Sequence, residues 1–235
     1  MNSDKRTARL AGLLWLLSAV TGGFGLAYIR SNLIIPGDAA ATVINIFASE
    51  FLFRSAIVGI LFGQLFMFFL VVTLFSLFRD VNRRHATVLL ASGMMSVGLA
   101  VINTLNHFGV LLFLSRPDFL KVFTHEQLDA LALVLLRLAN GSGQGLIEIF
   151  WVPFYFTFGL LIIRSRYLPT VLGVLLMTMG VGFAINILDK FLSPQFHPLA
   201  FTRLAMTLGA LGGIPTILWL LVMGARTQPE VSEVL

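Results

Sequence analysis

Long apolar runs alternate with short polar connections along this chain, and the polar residues inside the runs recur at helical spacing. Arg137, Gly141, Gln144, Glu148, Trp151 and Tyr155 follow one another at alternating steps of four and three, which places them on one face of a helix. The surrounding sequence is apolar enough to cross a bilayer, so this face cannot point at lipid. A carboxylate at the bilayer centre costs about 2.5–3.5 kcal/mol even on the permissive insertion scale, so Glu148 faces protein or a water-filled cavity, or is protonated. The remaining helices are therefore expected to gather around this stripe.

At about 20 residues per crossing, the apolar runs predict six spans, at about 10–29, 51–78, 86–114, 139–164, 168–192 and 199–224. Between the first two, Pro36 and Gly37 make a turn and Asp38 is a helix cap. Ala40, Val43, Ile44 and Phe47 then share a face, which predicts a short helix over 38–49 lying in the membrane interface. Thr124 to Gln127 fits a capping box. Leu128, Leu131, Ala132 and Leu135 follow at helical spacing and predict an extracytoplasmic helical segment before span 4. That segment either runs continuously into span 4 or breaks between Asn140 and Gly145, where three glycines weaken the helix and permit close packing. The fold class is an all-α integral membrane protein, a single domain over 1–235 built as a six-helix transmembrane bundle.

Composition agrees with the pattern. Only 11% of the 235 residues are charged and 57% are hydrophobic, whereas a soluble domain carries about 25% charged residues. The absence of cysteine excludes disulfides, thiolate metal sites and a cysteine nucleophile. A net charge of +5 would suggest nucleic acid in a soluble protein; here it reads as orientation, and no nucleic-acid partner is expected. Six spans put nine basic residues on the side of the termini, packed into short turns such as Arg79 to Arg84, and seven on the other. Both termini are thus expected in the cytoplasm.

With that orientation, the ionisable and amide side chains collect in the extracytoplasmic half. Glu148, His107, Arg54 and Asn103 form the expected centre of a pocket, joined by Gln144, Asp189, Arg137 and Glu50. Each has a plainer reading beside the functional one. Glu50 and Arg54 are one turn apart and suit a surface ion pair; His107 with Asn103 and Asn106 suits interhelical hydrogen bonding; Asp189 beside Lys190 suits a solvated pair. Glu148 alone resists, since no basic residue lies within a turn of it on its own helix. The expected function is binding of a small polar or amphipathic ligand, a lipid headgroup included, with the bilayer as the constant partner. The alternatives are an intramembrane enzyme using Glu148 and His107 as acid and base, and a scaffold whose polar contacts only join helices.

Chemical motifs add nothing to this. The chain has no phosphate-binding glycine loop, no His-Glu-x-x-His and no Gly-x-Ser-x-Gly, and only one of its four histidines lies within a span, so no cofactor or metal is expected. The segments RTARLAGLLWLL, LIIPGDAAATVINIFASEFLFR and FGLLIIRSRYLPTVLGVLL resemble the domain-of-unknown-function 4386 family, uncharacterised multi-spanning membrane proteins of prokaryotes. The resemblance covers nearly the whole chain. Its most specific portions are Ile35 to Ala41 leading to Ala48, Ser49, Glu50 and Arg54, and Arg164 to Gly173. It implies a helical protein of a prokaryotic cell membrane and supplies no activity.

Overall fold

The computed structural model describes residues 3–192 and 200–226, without the side chains of 3, 189, 190, 200–206 and 208–210. These residues form eight α-helices and no strand. They are α1 (Ser3–Tyr28), α2 (Ala39–Ala48), α3 (Glu50–Phe78), α4 (Arg83–Ser115), α5 (His125–Asn140), α6 (Ser142–Ser165), α7 (Thr170–Leu192) and α8 (Ala200–Val222). One π-helical turn, Ile29–Leu33, extends α1.

Sequence explains most of the ends. The Asp38 carboxylate accepts the Ala41 N–H at 2.9 Å and starts α2, and the Asn82 side chain accepts the His85 N–H at 3.0 Å and starts α4. Thr124 and Gln127 close the expected capping box at the head of α5. Arg116 and Arg166 take left-handed conformations, with φ of 47° and 56°, and end α4 and α6 just before Pro117 and shortly before Pro169.

The six long helices pack in chain order and close into a ring: α1 on α3, α3 on α4, α4 on α6, α6 on α7, α7 on α8, and α8 back on α1. An Arg9 guanidinium bonded to the Val222 carbonyl at 2.9 Å ties the closing pair. The tightest seam joins α1 to α3. Gly59 and Gly63 lie one turn apart on α3, and a Cβ added to Gly63 would stand 2.7 Å from the Gly22 Cα. The Ser18 hydroxyl donates to the Gly63 carbonyl at 2.9 Å in the same seam. Lipid gives helices no hydrophobic reason to associate, so small residues that let backbones approach supply the packing instead.

Among the described residues, five segments are long and apolar enough to cross a membrane: Asp4–Leu33, Glu50–Phe78, Arg83–Ser115, His125–Ser165 and Thr170–Leu188. In α8 the described apolar stretch is Leu211–Val222. The fourth segment answers the question of continuity. A single residue, Gly141 at φ −103° and ψ −98°, separates α5 from α6, so the run is one path with a sharp break.

The α2 helix forms where expected, with a different buried face. Thr42, Val43 and Ile46 are buried, while Ala40, Ile44 and Phe47 face outward. Thr42 is inside because its hydroxyl donates to the Asp38 carbonyl at 2.7 Å and accepts the Ile35 N–H at 3.0 Å, so the turn satisfies its polarity. Val43 and Ile46 join Phe53, Ile57, Val110 and Leu136 in a core under α2 and α5. A second core, built on Trp15, Phe78, Phe154 and Phe158, fills the end of the ring that holds the termini.

Candidate functional site

The site begins with the break at Gly141. Interrupting a helix frees carbonyls at the end of its first half, and inside a membrane no water satisfies them. Asn103 of α4 does so for one: its amide donates to the Ala139 carbonyl at 2.9 Å, and lies so close to Gly143 that a Cβ there would collide with it. Arg30, on the π-helical turn, donates to the Asn140 side chain at 2.8 Å and to the Asn140 carbonyl at 3.3 Å. Asn106 in turn donates to the Asn103 carbonyl at 3.1 Å and side-chain oxygen at 3.0 Å. The glycine-rich stretch, Asn103 and Arg30 thus make one structural device.

Beside the break lies a cavity of about 420 Å³, bounded by α1, α3, α4, α6 and α7. Its wall is mostly apolar, with Trp15, Trp151, Tyr155 and Phe183 supplying ring faces. Tyr155 and Phe183 stack at 5.7 Å, and Trp151 lies 5.6 Å from Tyr155. Polar wall residues divide into satisfied and unsatisfied ones. Ser18, Thr104 and Asn103 spend their hydrogen bonds on backbone carbonyls. His107 is 2% exposed and neither ring nitrogen has a partner; the Gln64 side-chain oxygen is also buried and unpartnered. Native interiors leave few such groups, and each calls for an explanation.

The residues singled out in the sequence part company here. Asn103, His107 and Gln144 come together on the cavity wall. Glu148 stands beside it, outside the wall: 4% exposed, it accepts the Asn186 amide of α7 at 2.7 Å. Arg54 and Glu50 bond each other at 2.7 Å with both side chains about half exposed, and border a shallow surface cleft with Phe47 and Leu111 instead. Arg137 is exposed on α5, because Gly141 interrupts the helical phase that would have carried it onto the face of Gln144. The side chain of Asp189 lies outside the described residues.

Among the wall residues that sequence reasoning left out of the pocket, three carried a signal in the sequence. Gln64 is the one amide deep in the apolar run of α3, and that isolation was its signal. Trp15 and Ser18 belong to a first span read only for length; the small residues Ser18, Gly22 and Gly25 marked the face that carries them.

A ring of long helices, five of them apolar over a full membrane crossing and enclosing a mostly apolar cavity, defines a multi-pass membrane protein. The chain belongs to the family described as a domain of unknown function, DUF4386, whose model matches residues 10–224. No curated protein and no solved structure matches it.

Proposed function

We propose that this protein is a six-span protein of a prokaryotic cell membrane, with both termini cytoplasmic, which binds a small polar or amphipathic ligand in the cavity between α1, α3, α4, α6 and α7. The observation that carries this is His107: buried on the cavity wall, with two ring nitrogens that no protein group satisfies. A ligand that bonds the imidazole gives the protein a reason to keep a histidine where a leucine would pack. The cavity volume and its few polar groups on an apolar wall support the same reading. The acid and base alternative has less support, since Glu148 bonds Asn186 and lies off the wall.

The sixth span rests on α8, whose 23 residues close the ring. The orientation rests on the basic turns at Arg79 to Arg84 and Arg164 to Arg166. An impermeant thiol reagent on intact cells is expected to label Asp38→Cys and to spare Arg83→Cys; the reverse would invert the topology. For the ligand, native mass spectrometry of protein extracted in lipid nanodiscs is expected to show a retained mass on wild type that His107→Leu loses. Equal spectra from the two proteins would remove the binding role of His107.

A further inference from the structure

The wall of the cavity bears on the charge of its occupant. Every described side chain on it is neutral or, in His107, titratable. Of the nearby ions, Arg54 pairs with Glu50, while Arg30 and Glu148 stand off the wall, bonded to the neutral amides of Asn140 and Asn186. An ionic ligand would find no charged side chain among the described residues of the wall to pair with directly, and a bare charge in the bilayer interior costs several kcal/mol. A neutral imidazole offers one donor and one acceptor, and Gln64 offers a carbonyl oxygen.

The polar and aromatic groups also stand at different depths. Gly93 of α4 faces Val71 of α3, so antiparallel pairing sets Gln64 level with Ala100 and His107 about seven residues, roughly 10 Å, nearer the α2 and α5 end. Trp15, Trp151 and Tyr155 lie at the opposite end of the cavity, beside the aromatic core. The cavity is therefore an elongated slot with a hydrogen-bonding end and an aromatic floor.

Its mouth bears on the route of entry. Ala19 and Gly23 line the cavity and are exposed, and both fall in the middle of the first crossing segment, Asp4–Leu33. At that level of a crossing segment an opening in the wall would meet lipid tails. We propose that the slot takes an uncharged amphipath from the lipid phase, entering beside Ala19 and Gly23, with its polar head at His107 and its apolar body past Gln64 onto the aromatic floor. This rests on the ligand-binding reading above and adds the ligand class and its path.

The chain's own tryptophans test it. There are three; Trp15 and Trp151 line the slot, and Trp219 lies under Arg226 at 4.9 Å. In a Trp219→Phe background both remaining indoles report on the slot. The full chain, in nanodiscs of saturated phosphatidylcholine at pH 9, is titrated with 9,10-dibromo-octadecanol or with 9,10-dibromo-octadecanoate, which share a quenching tail and differ in head charge. The alcohol is expected to quench along a saturating curve and the carboxylate only in proportion to its concentration. His107→Leu is expected to raise the half-saturating alcohol concentration about tenfold, the loss of one or two hydrogen bonds. Gly23→Leu is expected to raise it as well, by filling the mouth, where a Cβ meets no atom within 4 Å and the backbone has room to carry a side chain. Saturation by the carboxylate at equal or lower concentration would overturn the uncharged class, and an alcohol curve indifferent to both substitutions would overturn the head placement and the path. If neither probe saturates while wild type still retains its mass in the spectrometer, the ligand class is wrong and the binding reading stands. If the retained mass is missing too, both fall.

Discussion

The two ends of the ring differ in how they treat side-chain volume. At the end holding the termini, Phe158 is fully buried and meets Trp15 at 5.7 Å, Phe78 at 5.9 Å and Phe154 at 6.0 Å, so the helices enclose a continuous aromatic core. At the other end α6 is separated from α5 at Gly141, Asn103 and Arg30 are occupied with the exposed carbonyls, and a cavity of about 420 Å³ opens toward His107. Unbroken helices with aromatic faces close on each other. A broken helix needs polar neighbours, and here Asn103 and Arg30 are spent on its backbone rather than on filling the space between helices. The first end therefore fixes the bundle, and the second is free to hold something else.

That contrast can be broken by substitution. Phe158→Ala is expected to have the largest effect, about 2 kcal/mol or more of lost stability in an SDS unfolding titration, because the cavity it leaves persists even where the transfer from water contributes little. A loss near zero would mean that the aromatic core does not hold the ring together. Glu148→Leu is expected to cost about 1 kcal/mol, since it strands the Asn186 amide; Glu148→Leu combined with Asn186→Leu is expected to recover most of that loss. Were the double variant worse than the single one, Glu148 would have to act through some other contact. His107→Leu is expected to have the smallest effect on empty protein, no loss and up to about 0.5 kcal/mol of gain, because it removes two unpartnered buried nitrogens. A clear loss of stability would show that His107 is a structural residue and weaken the contrast.

Much of the architecture is legible in the sequence because its cause is local. Asp38, Asn82 and the Thr124–Gln127 box start their helices with bonds to backbone groups three residues away, and the apolar runs need only be counted against the thickness of a bilayer. The α2 face was half legible. Periodicity grouped Ala40, Val43, Ile44 and Phe47, and only the fold placed Val43 against Phe53 and Ile57 while turning Ile44 and Phe47 outward.

The pocket was legible as a set of polar positions and not as an arrangement. His107, Asn103 and Gln144 stood out as polar residues in apolar runs, and they do share the cavity wall. Glu148 stood out for the same reason, yet its direction depends on Asn186, 38 residues away on α7. Arg137 was assigned to the stripe by counting residues through Gly141, and a backbone at ψ −98° ends the count. By itself the sequence determined the helices, their caps, the membrane-crossing runs and the inventory of polar groups, all of which follow from neighbours within a few positions. Only the tertiary structure decided that Gly22 meets Gly63, that Asn103 completes the broken end of α5, and that His107 and Gln64 are left without partners. Whether a polar group is satisfied depends on which helices pass it, and no spacing along one helix contains that information.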